Sequence, residues 1–261
     1  MGQSEDHVEK IRRQFTRQAD AYARMQQTRD EKGQQLLVAL TGASDSDRVV
    51  DVACGPGFLT LAFAEACEHA LGVDATDELL AGARREATRR GIDNVAFERG
   101  DANRLEQRDH GFDVAACRAA FHHFPEPARV LCELRRVVKP GGRILVADML
   151  GSEDPEKARY HDRIERLCDP THTRALPETA FEGLFRDADL EVVHRPTSQI
   201  HYDVEEWLEH GGPTEQAAGE IRRLLEASLD QDLCGLNVRR ENDRLMFSHP
   251  SAAFVLRTPA A

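Results

Sequence analysis

Residues 49–57, Val-Val-Asp-Val-Ala-Cys-Gly-Pro-Gly, constrain the fold more than any other stretch of this 261-residue chain. A β-branched run ends in a tight glycine turn, and an apolar helix-forming run, Leu59 to Ala66, follows directly. β-branched residues favour extended backbone, and a short continuous apolar run bounded by glycine fits a strand buried on both faces. The glycines predict a close approach of backbone to ligand, where a Cβ would collide. The helix behind the turn offers unpaired N–H groups at its start. Strand, turn and helix in that order predict a small molecule bound at the carboxyl edge of an open α/β sheet.

The unit repeats along the chain. Strands are predicted at 48–53, 69–73, 95–98, 112–116 and 143–149, with helices at 57–67, 77–90 and 126–138. Such alternation implies a parallel sheet with right-handed crossovers. Upstream, residues 8–40 carry helical spacing in Val8, Ile11 and Phe15, then Leu36, Leu37 and Leu40. Beyond the fifth strand the rhythm changes. Helices are predicted at 155–168 and 177–186, the first stopped by the Asp169-Pro170 step. Leu190 to Tyr202 reads as a sixth strand, and 203–230 as inserted helices around Trp207. Met246-Phe247 and Ala252 to Leu256 suggest a last strand or a hairpin arm.

The acids narrow the ligand. The dinucleotide fingerprint needs three glycines, and here Gly55 and Gly57 are followed by Thr60. Asp51 sits inside the strand before the turn, where it would repel a pyrophosphate but not a cationic sulfonium amino acid. Asp74 closes the second strand, where a carboxylate can accept both hydroxyls of a ribose. Asp101 closes the third, where an adenine amine needs an acceptor.

Asp51 to Gly57, Gly72 to Asp74, Gly100 to Ala102, Phe112 to Cys117 and Val138 to Arg143 together resemble the class I S-adenosyl-L-methionine (SAM) methyltransferases. The resemblance spans roughly residues 45–150 and is nearest to the ubiquinone/menaquinone C-methyltransferase-like, or type 11, group. It implies an α/β, Rossmann-like, seven-stranded and mostly parallel sheet with helices on both faces, a helical cap and an antiparallel final strand. The implied organisation is an N-terminal helical flap (1–40), a SAM-binding α/β core (41–150) and a cap insertion (151–178). Residues 179–261 complete the core sheet, with a helical insertion near 203–235. The implied cofactor contacts are Tyr22 of the flap, Asp51, Ala53, Gly55, Gly57, Asp74, Ala75, Leu79, Asp101, Ala102 and Cys117. Ala53 departs from the family's usual glycine; a non-positive φ is expected there.

Methyl transfer requires a nucleophile in line with the S–CH₃ bond, and alignment alone accounts for roughly 7–11 kcal/mol of barrier in favourable cases. A base is needed when the nucleophile arrives protonated. His122 and His123, in the loop after the fourth strand, are the candidate catalytic residues, because imidazole titrates near neutrality. Arg118, Asp148, Asp169, His172 and Arg174 are candidate substrate contacts, and His201 and Tyr202 lie at a strand end that could reach the pocket. The metal-binding carboxylates of related quinone O-methyltransferases are replaced by Ala119 and His122, and no zinc spacing is apparent, so no metal site is expected.

A formal net charge of −12 disfavours nucleic acid and anionic membranes as partners and suits a small neutral or cationic substrate. No apolar run approaches the ~20 residues of a membrane span, and the polar N-terminus is not a secretory signal. The six cysteines form no C-x-x-C pair, which predicts reduced thiols in a cytoplasmic enzyme. Oligomeric state is not legible. The leading expectation is a SAM-dependent methyltransferase acting on a small-molecule acceptor, with carbon methylation of a phenol or quinol suggested by the resemblance. A non-methylating SAM-binding protein is the alternative. A nicotinamide dehydrogenase is disfavoured by Asp51 and Thr60.

Overall fold

The computed structural model describes residues 2–24 and 30–260, with backbone alone for 2–5 and 19–24. Two helices, α1 (Gly2–Arg24) and α2 (Glu31–Thr41), precede the first strand. Asp30 caps α2 by accepting from the Gly33 N–H, and Gly42 ends it at φ 63°, a left-handed conformation that glycine adopts without strain. The core follows as β1 (Arg48–Val52), α3 (Phe58–Ala64), β2 (His69–Asp74), α4 (Asp77–Arg90), β3 (Val95–Arg99), β4 (Phe112–Arg118), α5 (Pro127–Val137) and β5 (Val138–Met149). The rest is α6 (Pro155–Cys168), α7 (Glu178–Asp187), β6 (Glu191–His194), β7 (Thr197–Asp203), α8 (Val204–Gly211), α9 (Glu215–Ala227), β8 (Arg239–Glu241) and β9 (Arg244–Arg257).

The strands form one mixed sheet in the order β3-β2-β1-β4-β5-β9-β6, and β7 and β8 also pair with β9. β1 to β5 are parallel, and β9 lies antiparallel to β5. The strand order reverses at β1, which has β2 on one side and β4 on the other. Ligands of open α/β sheets bind outside the carboxyl ends at such a switch point.

Alternate residues of each strand face opposite sides, and each side has its own core. Val50, Val52, Ala115, Cys117, Ile144, Val146 and Phe254 pack against Leu131 and Leu134 of α5 and Phe181 and Phe185 of α7. Val49, Val114, Ala116, Leu145 and Val255 pack against Val38 of α2 and Leu59 and Phe63 of α3. A third cluster joins the later helices, which form a cap over this end of the sheet: Ile164 of α6, Trp207 of α8, and Ile221 and Leu225 of α9 meet Phe247 of β9.

Two strand expectations are corrected. The single strand from Leu190 to Tyr202 is two, β6 and β7, broken at Arg195-Pro196. Proline has no N–H for the ladder and restricts the residue before it. β6 therefore pairs with the end of β9 and β7 with its beginning. The final strand is one continuous 14-residue element rather than two fragments. Its polar centre, Ser248-His249-Pro250-Ser251, looks like a turn in sequence but is laddered against β7. β9 thus runs from the core sheet out under the cap. Among the described residues no helix is long and apolar enough to cross a membrane.

Phe254 is fully buried, with ring centroids 5.2 Å from Phe181 and 5.0 Å from Phe185. Phe254→Ala should lower unfolding free energy by about 3–5 kcal/mol in chemical denaturation, because α7 and the sheet cannot collapse into the gap.

Candidate active site

The turn after β1 is built from left-handed backbone: Ala53 at φ 57°, Gly55 at 55° and Gly57 at 78°. The expectation of a non-positive φ at Ala53 is therefore wrong. An L-residue there costs roughly 1–2 kcal/mol from contact between Cβ and the carbonyl. Two glycines are also required by the protein's own packing. A Cβ on Gly57 would stand 2.7 Å from Ala83 Cβ and Phe97 Cε1, and one on Gly72 would stand 2.7 Å from Phe97 Cδ1. These glycines let β3 and α4 close on the turn; the crowding comes from protein atoms.

Two hollows flank this turn. The first is walled by Ala53, Asp74, Ala75, Asp101 and Ala102, with His7, Val8 and Ile11 of α1 across it. Asp74 is held rigidly: one carboxylate oxygen accepts from Gly55 N–H and the other from Thr76 N–H, each at 2.8 Å. Burial nonetheless pushes its pKa up. Asp101 accepts from the backbone and side-chain N–H of Asn103 through one oxygen. α1 is fixed over the hollow by His7 Nε2, 2.8 Å from the His123 carbonyl, and by Thr16, which donates to Glu78. The side chain of Tyr22, the expected flap contact, lies outside the described residues.

The second hollow, about 340 Å³, is lined by Asp51, Gly55, Phe58 and Arg118. Asp51 is 1% exposed. Thr60 donates to one of its oxygens at 2.7 Å, while the other, Oδ1, is buried without a hydrogen-bond partner. Burial raises its pKa to about 7, against the opposing pull of Thr60 and Arg118. A cationic group entering this hollow would meet an unsatisfied acceptor.

Beyond the turn, the loop after β4 meets the end of β5. His122 Nδ1 stands 2.7 Å from Asp148 Oδ1, and the His122 N–H also points at that carboxylate. Asp148 takes a further N–H from Met149 at 2.7 Å. With Nδ1–H donated to Asp148, Nε2 is the nitrogen able to accept a proton. Burial opposes charging of His122 most strongly, but Asp148, Glu165 and Asp169 together leave its pKa raised. His123 behaves oppositely: burial and the neighbouring His122 hold its pKa down to about 3. Thr171 Oγ1 donates to Asp169 at 2.6 Å and so accepts from His123 Nδ1 at 3.1 Å. His123 is therefore a neutral ring, wedged edge-on against Phe15 of α1.

The cap supplies the remaining polar wall. His172 is stacked on His122 with centroids 5.6 Å apart, and its Nε2 lies 2.8 Å from Asp162 on α6. Asp148, Asp169 and His172 thus converge on the histidine pair, and Arg118 lines the second hollow. Other expected contacts fall elsewhere. The Arg174 side chain is exposed, and only its backbone N–H reaches His122, by donating to the carbonyl. Leu79 and Cys117 are buried in packing and border neither hollow. His201 is exposed on β7 beside Ser248. The sequence reading missed His7, Asn103, Asp162 and Thr171. Their roles depend on which distant elements meet, and no local motif marks them.

A family model described as a methyltransferase domain matches residues 43–209. The uncharacterised methyltransferase YcgJ of Bacillus subtilis is 32% identical over 223 residues, covering 82% of this chain and 85% of that protein. Its crystal structure superposes with a TM-score of 0.80 at 26% identity, covering 88% of this chain and 99% of that one. A putative methyltransferase from Bacillus halodurans gives a TM-score of 0.83 at 25% identity, covering 88% of this chain and all of that one. The ubiquinone/menaquinone C-methyltransferase UbiE of Bdellovibrio bacteriovorus is 33% identical over 114 residues, 43% of this chain and 48% of that protein.

Replacing Ala53 by glycine removes the left-handed strain of roughly 1–2 kcal/mol but adds about 0.5–1 kcal/mol of chain entropy. Ala53→Gly should therefore raise stability by up to about 1.5 kcal/mol in denaturant titration; a loss of stability would show that the turn is unstrained.

Proposed function

This chain belongs to the SAM-dependent methyltransferases, and from that premise we propose that it methylates a small-molecule acceptor of phenol or quinol type. The observation that carries the acceptor class is the buried His122–Asp148 pair, which suits an acceptor arriving with a proton to lose. The partial likeness to a ubiquinone/menaquinone C-methyltransferase supports the same class and favours carbon as the methylated atom.

The residues present fit the cofactor. Asp74, fixed by two backbone N–H groups, keeps lone pairs on both oxygens for ribose hydroxyls. Asp101 offers its second oxygen to an adenine amine, and Val8 and Ile11 of α1 supply an apolar cover. The unpaired Oδ1 of Asp51 suits the ammonium of the methionyl moiety, with Arg118 in the same hollow for its carboxylate. When bound, SAM supplies an electrophilic methyl group on a sulfonium.

The chain's own residues then do the rest. Asp148 holds the His122 ring and its tautomer, as the carboxylate of a triad does. His122 Nε2 takes the acceptor's proton. Neutral His123 and Phe15 of α1 close the apolar side and exclude water. The resulting dry enclosure strengthens every electrostatic contact within it.

S-adenosylhomocysteine carries the same ammonium without the sulfonium. Below about pH 7 the Asp51 carboxyl of the ligand-free chain is protonated and must lose that proton to pair with it. Affinity measured by calorimetry should thus rise about tenfold per pH unit up to about pH 7 and then level off. Asp51→Asn should flatten that profile, and a flat wild-type profile would refute the pairing.

His122→Asn should lower kcat by about 10²–10⁴-fold while leaving S-adenosylhomocysteine affinity unchanged. The readout is S-adenosylhomocysteine release with a panel of phenols and quinols. Undiminished turnover would remove His122 from the chemistry, and binding without turnover on any acceptor would favour a non-methylating SAM-binding protein.

A further inference from the structure

The cap holds a second histidine cluster that the methyl-transfer reading does not use. His161 and Glu165 stand one turn apart on α6, so both project from the same face. His249 reaches them from the polar centre of β9. Glu165 Oε1 lies 2.9 Å from His249 Nε2 and 3.5 Å from His161 Nε2. The residues are 1%, 6% and 2% exposed in the order His161, Glu165, His249. Three buried titratable side chains thus turn their polar atoms on one point, with a single carboxylate oxygen facing two imidazole nitrogens. Two imidazole nitrogens and a carboxylate oxygen gathered in this way are the donor set that a shared cation would draw together. The donor atoms all lie within 4.8 Å of one another, the spread of ligands around one cation.

We propose that His161, Glu165 and His249 bind a divalent transition-metal cation of zinc type, tying α6 of the cap to β9 of the sheet. Two imidazoles and one carboxylate match the ligand preference of such ions rather than that of magnesium or calcium, which favour all-oxygen sets. Three protein ligands leave a coordination position for water or another small donor, unlike a closed structural site with four. The ligands are held in place from behind. Tyr202 and Phe247 pack edge-on to the His249 ring at 5.2 and 5.1 Å, and Ile164, Trp207 and Leu208 form the apolar layer beneath. On the same helix, Asp162 turns the other way to hold His172, so one turn of α6 serves both clusters. The absence of a recognisable zinc spacing in the sequence follows from this geometry, because the third ligand lies 84 residues beyond the second.

The test uses the full chain after chelator treatment and dialysis, titrated with Zn²⁺ alone by calorimetry and with Co²⁺ alone by visible absorption. One ion per chain should bind, with Co²⁺ giving the d–d bands of a four- or five-coordinate nitrogen–oxygen site. Glu165→Gln and His249→Gln should each weaken binding by more than the ~10–100-fold typical of losing a supporting group around a metal. His201→Gln, at an exposed position, should leave it unchanged. X-ray absorption of zinc-loaded wild-type protein should show two imidazoles and no sulfur, a readout that holds even if a variant fails to fold. Failure of the wild type to bind either ion stoichiometrically, a sulfur shell, or unaltered binding in a folded His249→Gln protein would overturn the proposal and leave a proton-sharing His–Glu–His triad.

Discussion

Parallel strands bring all their carboxyl ends to one edge of a sheet, and at this edge Asp51, Asp74 and Asp148 are buried together. Buried carboxylates are tolerated only when other groups take over the role of water. Each of the three is compensated differently, and the differences assign their work. Asp74 is satisfied by two backbone N–H groups and serves as a rigid acceptor. Asp148 is satisfied by an imidazole and a backbone N–H, and fixes the orientation of the His122 ring. Asp51 is half satisfied, and burial pushes its pKa up to about 7.

The enclosure around that edge comes from distant parts of the chain. α1 lies across the first hollow and reaches the His123 carbonyl through His7. The loop after α6 reaches the histidine pair through Thr171 and His172. β9 underlies both arrangements, since one half completes the core sheet and the other carries the cap. A strand of this length lets a rigid sheet position a separate layer of helices, and the second histidine cluster sits where the two meet.

Much of the carboxyl edge of the sheet is legible in sequence because it is local. Asp51, Gly55 and Gly57 lie within one strand and turn, and Asp74 and Asp101 each end the next strand in order. Ala53 was misread because a backbone angle leaves no trace in side-chain chemistry, although the usual glycine at its position was a signal. The division of labour between His122 and His123 was beyond reach for another reason. Adjacent residues of the same type are distinguished only by Asp148 and Thr171, which lie 26 and 48 residues away. Pro196 offered a sequence signal that would have split the sixth strand; the polar centre of β9 offered none.

The sequence by itself determined the parallel core and the order of its acid-terminated and glycine-terminated strands, because strand periodicity and turn chemistry act over a few residues. Only the tertiary structure decided which histidine is paired with a buried carboxylate, which alanine is strained, and which buried atoms are left without a partner. Those properties depend on desolvation and on contacts between groups far apart in the chain, and neither exists until the sheet and its cap have closed on one another.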